Sequence, residues 1–156
     1  MEARMENAIG RVKVLYAKLA RTLNIPKEGR RIPRSIDEAR LVLHKSWQLS
    51  DALCEMIRLA EREARAGQGE VAHVVAYPVG YLFLEVDEVV YAWYPELVPD
   101  ELKDAGKVYR SSCRDKERGV QPCDLEAIEQ KIGELPDKLR QTWGCDRSLI
   151  EGHRAL

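Results

Sequence analysis

Four cysteines, three histidines and one cluster of carboxylates are where this chain could do chemistry. Cys113 and Cys123 bracket a polar loop that carries Lys107, Arg110, Arg114, Lys116 and Arg118 and has little apolar content to order it. A disulfide between them would close a small ring and add roughly 2–3 kcal/mol in the loop-entropy account. A Cys113–Cys123 bridge is therefore expected, of the kind found on virions and inside hyperthermophile cells. Cys54 falls on an apolar helix face and reads as a buried free thiol. A zinc site built from Cys113, Cys123, Cys145 and His153 would have irregular spacing and no CxxC pair, so no metal is expected. Glu85, Asp87 and Glu88 sit beside aromatic residues. Carboxylates on bundle helices bind metal together with Glu-x-x-His pairs. That pair is missing here, and a solvated acidic face is the expectation.

The chain contains no GxSxG, no GxxxxGK[ST] and no GxGxxG. No nucleotide or other cofactor is expected. His44 lies on a helix in the basic half and reads as structural or solvated. The heptapeptide RSLIEGH places Arg147 and His153 in an Arg-x5-His pattern. It resembles the nuclease signature of HEPN domains, small helical bundles that cut RNA. That resemblance would make Arg147 and His153 the catalytic pair of a ribonuclease, the alternative to a non-enzymatic role.

The strongest signal is the placement of charge. The chain of 156 residues has a net charge of −1, yet residues 1–45 carry +6 and residues 46–156 carry −7. A split of this size places a basic N-terminal segment on an acidic body. Arg4, Arg11 and Lys18 are seven residues apart, with Arg21 close beside them. Lys27, Arg30, Arg31 and Arg34 follow within residues 24–34, and Arg40 and Lys45 extend the series. Cations spread along a rigid surface suit the phosphate backbone of a nucleic acid. Asn and Gln, which read base edges, are scarce. Binding is therefore expected to be to the nucleic-acid backbone, without sequence specificity.

The elements that must hold these cations can be read from periodicity. Met5, Ile9, Val12, Tyr16, Leu19 and Leu23 recur every three or four residues and predict an amphipathic helix over 2–23, with the basic stripe well away from the apolar one. Such a helix is roughly 33 Å long. Pro26, Gly29 and Pro33 end it and make 24–34 a basic elbow. Ser35 and Glu38 form a capping box that starts a second helix running to about residue 66. Over 70–95 the apolar spacing is helical, although the segment is rich in Val and Tyr and contains Pro78. A helix kinked near Pro78 is preferred to a hairpin or small sheet. Asp124 is expected to cap a last helix carrying Leu125, Ile128, Ile132 and Leu135, interrupted at Pro136.

These elements predict a mainly α fold: a helical bundle with an N-terminal basic helix–turn–helix arm. The arm spans 1–34, and the helical body spans 35–156 with a loop at 106–123. The high Arg and Glu content suits a thermophilic source. Met1 to Gly10 is polar, so no secretory leader is expected. The longest uncharged run, Val71 to Leu84, is too short to span a membrane.

A basic helix, elbow and helix ahead of a helical body resembles the major capsid proteins of filamentous and rod-shaped archaeal viruses. The resemblance is architectural and covers the first 66 residues best. It implies a virion protein whose N-terminal helices wrap double-stranded DNA, with Arg4, Arg11, Lys18, Arg21, Lys27, Arg30, Arg31 and Arg34 against phosphates. It also implies self-assembly or pairing with a second coat subunit, with the apolar stripe of the first helix facing that neighbour. A third reading, a small subunit of a ribonucleoprotein effector complex, uses the same basic face.

Overall fold

The apolar stripe of the first helix is buried by the chain's own helices. The computed structural model describes residues 3–26, 29–63, 68–103 and 119–143. Helix α1 spans Ala3–Leu23 and buries Met5, Ile9, Val12, Leu19 and Leu23. These five belong to one hydrophobic core shared with every other long helix. The stripe is therefore not left open for a neighbouring subunit, as the coat-protein resemblance implied. Asn24 ends the helix in the left-handed region at φ 37°, and its N–H bonds Ala20 O at 2.9 Å. Asparagine tolerates that conformation better than most residues.

The chain then turns back into α2, Ile36–Glu63. Ser35 Oγ accepts the Glu38 N–H at 3.1 Å, the first half of the predicted capping box. The Glu38 carboxylate accepts from the Arg34 N–H at 2.6 Å, one residue before the expected partner, and pairs with the Arg31 guanidinium. Helix α2 packs on α1 along one side and on α3 along another. That explains its wide apolar face, with Val42, Leu43, Leu49, Leu53 and Met56 all buried.

The uncertain segment is helical. Helix α3, Gln68–Leu82, leads into a π-helical turn, Phe83–Asp87, and then into α4, Glu88–Trp93. Among the described residues the only β pairing is an isolated bridge between Arg31 and Val120. The strand preference of Val and Tyr is overridden because Val75, Leu82, Val86, Val89, Val90 and Tyr91 are all buried against helices. Pro78 sits inside α3, and the change in helical pitch comes five residues later.

A short 3-10 turn, Pro95–Leu97, and α5, Asp100–Lys103, follow. Helix α6, Pro122–Trp143, closes the bundle. Its start differs from the expectation. Pro122 opens the helix, where its missing N–H costs nothing, and Asp124 lies two residues further on, accepting the Gln121 N–H at 2.8 Å. Pro136 does not interrupt α6. Ile128, Ile132, Leu135 and Leu139 bury the same face on both sides of it, so packing carries the helix through. Helix α6 packs on α3 and also on α1, which closes a four-helix arrangement of α1, α2, α3 and α6. Tyr16 links α1 to α6 by donating to Leu125 O at 3.2 Å. Burial first, and Glu129 second, push its phenol up to about 12, so it remains a donor.

Gly119 brings the chain back beside the elbow. Arg31 and Val120 exchange two backbone hydrogen bonds, at 2.7 and 2.9 Å. Gly119 has φ +64°, and a Cβ there would lie 2.9 Å from Arg31 O. Only glycine suits this position.

Candidate nucleic-acid interface

The bundle turns the polar side of α1 outward, because its apolar side is consumed by the core. Arg4, Arg11, Lys18 and Arg21 are all exposed on α1. The hairpin of α1 and α2 then brings Lys45, 24 residues beyond Arg21 in the chain, into the same place. Lys18, Arg21, Thr22 and Lys45 line one open cleft of about 450 Å³. Thr22 donates its hydroxyl to Lys18 O at 2.8 Å, and Arg21 Nε donates to Ala17 O at 3.4 Å. Both contacts tie the cleft to the α1 backbone. Among the described residues, no carboxylate pairs with Lys18, Arg21 or Lys45. Three like charges around one cleft repel each other, and an anion placed among them relieves that repulsion.

The other predicted cations divide. Arg30 and Arg34 are exposed on the elbow. Arg31 is diverted to structure: it is partly buried, paired with Glu38 and bridged to Val120 through its backbone. Arg40 lies 3.5 Å from Asp37 and lines a different cleft, with Leu41, His44, Trp47 and Leu97. Lys27 lies outside the described residues. The structure thus gathers three of the ten into one cleft, leaves four exposed on α1 and the elbow, and turns Arg31 and Arg40 to carboxylates. The Arg40–Asp37 pair is an i,i+3 neighbour readable from helical spacing, whereas the Arg31–Glu38 pair depends on how the elbow folds onto α2.

The remaining chemistry also resolves in part. Cys123 is an exposed free thiol at the start of α6, so the expected bridge is not formed; Cys113 lies outside the described residues. The thiol lies 3.7 Å from Gln121 Oε1 and 3.9 Å from Asp124 Oδ1. Cys54 is free and partly buried. Cys145, Arg147 and His153 lie outside the described residues. His44 is exposed on the rim of the Trp47 cleft, and His73 is exposed edge-on to Tyr77, with ring centroids 5.3 Å apart.

One residue departs from the expected solvated acidic face. Asp87 is buried, at 6% exposure, within the π-helical turn. Ser46 of α2, wholly buried, donates its hydroxyl to Asp87 Oδ1 at 2.5 Å. Burial is the main cause that raises the Asp87 carboxyl to about 7. The Ser46 hydroxyl acts the other way by donating to the charged form, the nearby Trp47 indole favours that form to a smaller extent, and Glu88 adds repulsion. A signal existed in the sequence: Ser46 falls three residues from both Leu43 and Leu49 on an apolar face. A polar residue there needs a partner across the core.

Compared with protein-family models, with curated proteins and with solved structures, the chain has no match.

Proposed function

We propose that this protein is a structural nucleic-acid-coating protein that grips the phosphate backbone of double-stranded DNA without reading its sequence. The observation that carries the reading is the cleft of Lys18, Arg21 and Lys45, three cations with no carboxylate partner among the described residues. Arg4 and Arg11 extend the contact along α1, and Arg30 and Arg34 extend it around the elbow. A folded bundle wall holds these charges in place, so little side-chain scaffolding has to be ordered on binding. The core covers the apolar stripe of α1, so the coat contacts between copies must use other surfaces.

The test has two parts. Electron microscopy of the protein with and without linear double-stranded DNA at low salt should show filaments only when DNA is present. Binding should fall steeply with salt, and neutralising Lys18, Arg21 and Lys45 together to Gln should lower the log–log salt slope by about 3. A triple variant that binds duplex DNA with unchanged affinity and slope would remove the reading. Equal binding to duplex RNA would move it from DNA to duplexes in general.

A further inference from the structure

The contact between the π-helical turn and α2 is unusual for the interior of a bundle. Asp87 and Ser46 meet there, both buried, in a region whose other side chains are apolar. Asp124, also buried, accepts from a backbone N–H at its helix start. Asp87 has no such anchor: it lies in the middle of a continuous helical rod, with its side chain turned to the neighbouring helix. π-Helical turns carry an extra residue per turn, are costly, and recur where a helix has a job beyond packing.

The surroundings of Asp87 are short of charge. From α2 come the Ser46 hydroxyl and the Trp47 indole, neither of which carries a charge. From its own rod the acting charge is Glu88, which repels. No cation faces it among the described residues. An ionised carboxylate has about four acceptor positions, and the Ser46 hydrogen bond alone leaves it under-satisfied in a dry interior. The protonated form needs less, because it is neutral and can itself donate.

Trp47 connects this contact to the surface. It is 39% exposed and lines a cleft of about 600 Å³ with Asp37, Arg40, Leu41, His44 and Leu97. The same indole acts on the Asp87 carboxylate. We propose that Asp87 is a proton-operated latch: protonated, it holds the π-helical turn closed on Ser46 and Trp47, and ionised, it loosens that contact and frees Trp47 into the cleft. Water entering past the indole supplies the donors that the ionised carboxylate lacks. The position of the carboxyl near neutrality places the change within the physiological range.

The experiment uses the full chain with Trp93→Phe and Trp143→Phe, so that Trp47 is the sole tryptophan and is excited selectively at the red edge, beyond tyrosine absorption. The buried Trp93 Nε1 has no hydrogen-bond partner, so its replacement costs no hydrogen bond. Acrylamide quenching of Trp47 should rise about twofold between about pH 5.5 and about pH 8.5, following ionisation of Asp87. In Asp87→Asn, which keeps an acceptor for Ser46, quenching should stay flat. Ser46→Ala should move the midpoint to higher pH, because it removes a donor to the charged form. Quenching that does not change with pH would overturn the latch. An equal change in Asp87→Asn would also overturn it. Should Asp87→Asn fail to fold, an unmoved midpoint in Ser46→Ala overturns it instead.

Discussion

The outer face of α1 and the interior contact between α2 and the π-helical turn handle charge in opposite ways. On α1, Lys18 and Arg21 stand exposed with no carboxylate partner among the described residues. They contribute little to stability, because exposed charges are well screened. At Asp87 a single carboxyl stands out of water and out of reach of any described cation. Its ionisation bears directly on stability, because desolvation is hardly compensated. Charges that cost the fold little are free to serve a ligand, and a charge that costs the fold much can serve as a control on the fold itself.

The first way to break this comparison is to ask whether α1 is separable from the body. Deleting residues 1–23 removes five buried side chains from the shared core. The loss should exceed the whole stability of a small domain, about 5–15 kcal/mol. Circular dichroism of the truncated chain should show no cooperative unfolding transition. A truncated chain that melts cooperatively would make α1 an arm after all.

The second sharpens the interior side. The Asp87 carboxyl is raised on folding from 3.8 to about 7. The folded state therefore holds a proton that the unfolded state has lost between those values. Stability from this group is fully present below about pH 4 and is lost as pH rises through about 7, about 4 kcal/mol in all. Chemical denaturation at a series of pH values should show the decline in the native chain. Asp87→Asn should abolish it and be the more stable protein above neutral pH.

The third tests what holds the elbow that presents Arg30 and Arg34. Gly119→Ala forces a side chain into the left-handed region and against Arg31 O. It should cost about 2 kcal/mol, measured as a lowered denaturation midpoint.

The smallest stability effect belongs to the cationic cleft. Neutralising Lys18, Arg21 and Lys45 to Gln should change stability by less than about 0.5 kcal/mol. The same variant should lose most of its affinity for duplex DNA at moderate salt. Substantial destabilisation would mean that these cations hold the bundle together.

Much of the helical outline was legible from the sequence. The period of Met5, Ile9, Val12, Leu19 and Leu23 is unambiguous because a helix 21 residues long offers five independent registrations of one face. Ser35 and Glu38 announced the start of α2 because capping is local chemistry. Pro136 misled because a proline costs a helix one hydrogen bond, while the apolar face it lies on recovers more. The Cys113–Cys123 bridge misled because loop entropy says what a disulfide would contribute and nothing about whether the sulfurs meet.

The candidate site divides along the same line. Sequence alone determined which cations share the outer side of α1, because residues seven apart on a helix must lie along one line of its surface. It also determined that two long amphipathic helices are separated by a turn of prolines and a glycine, whereas their packing against each other was decided by the core. Only the tertiary structure decided that Lys45 joins Lys18 and Arg21, that Arg31 is taken by Glu38, and that Asp87 is buried against Ser46. Those three facts depend on the rotation of α2 and of the α3–π–α4 rod about their own axes. Packing of the whole core sets that rotation, and no local pattern encodes it.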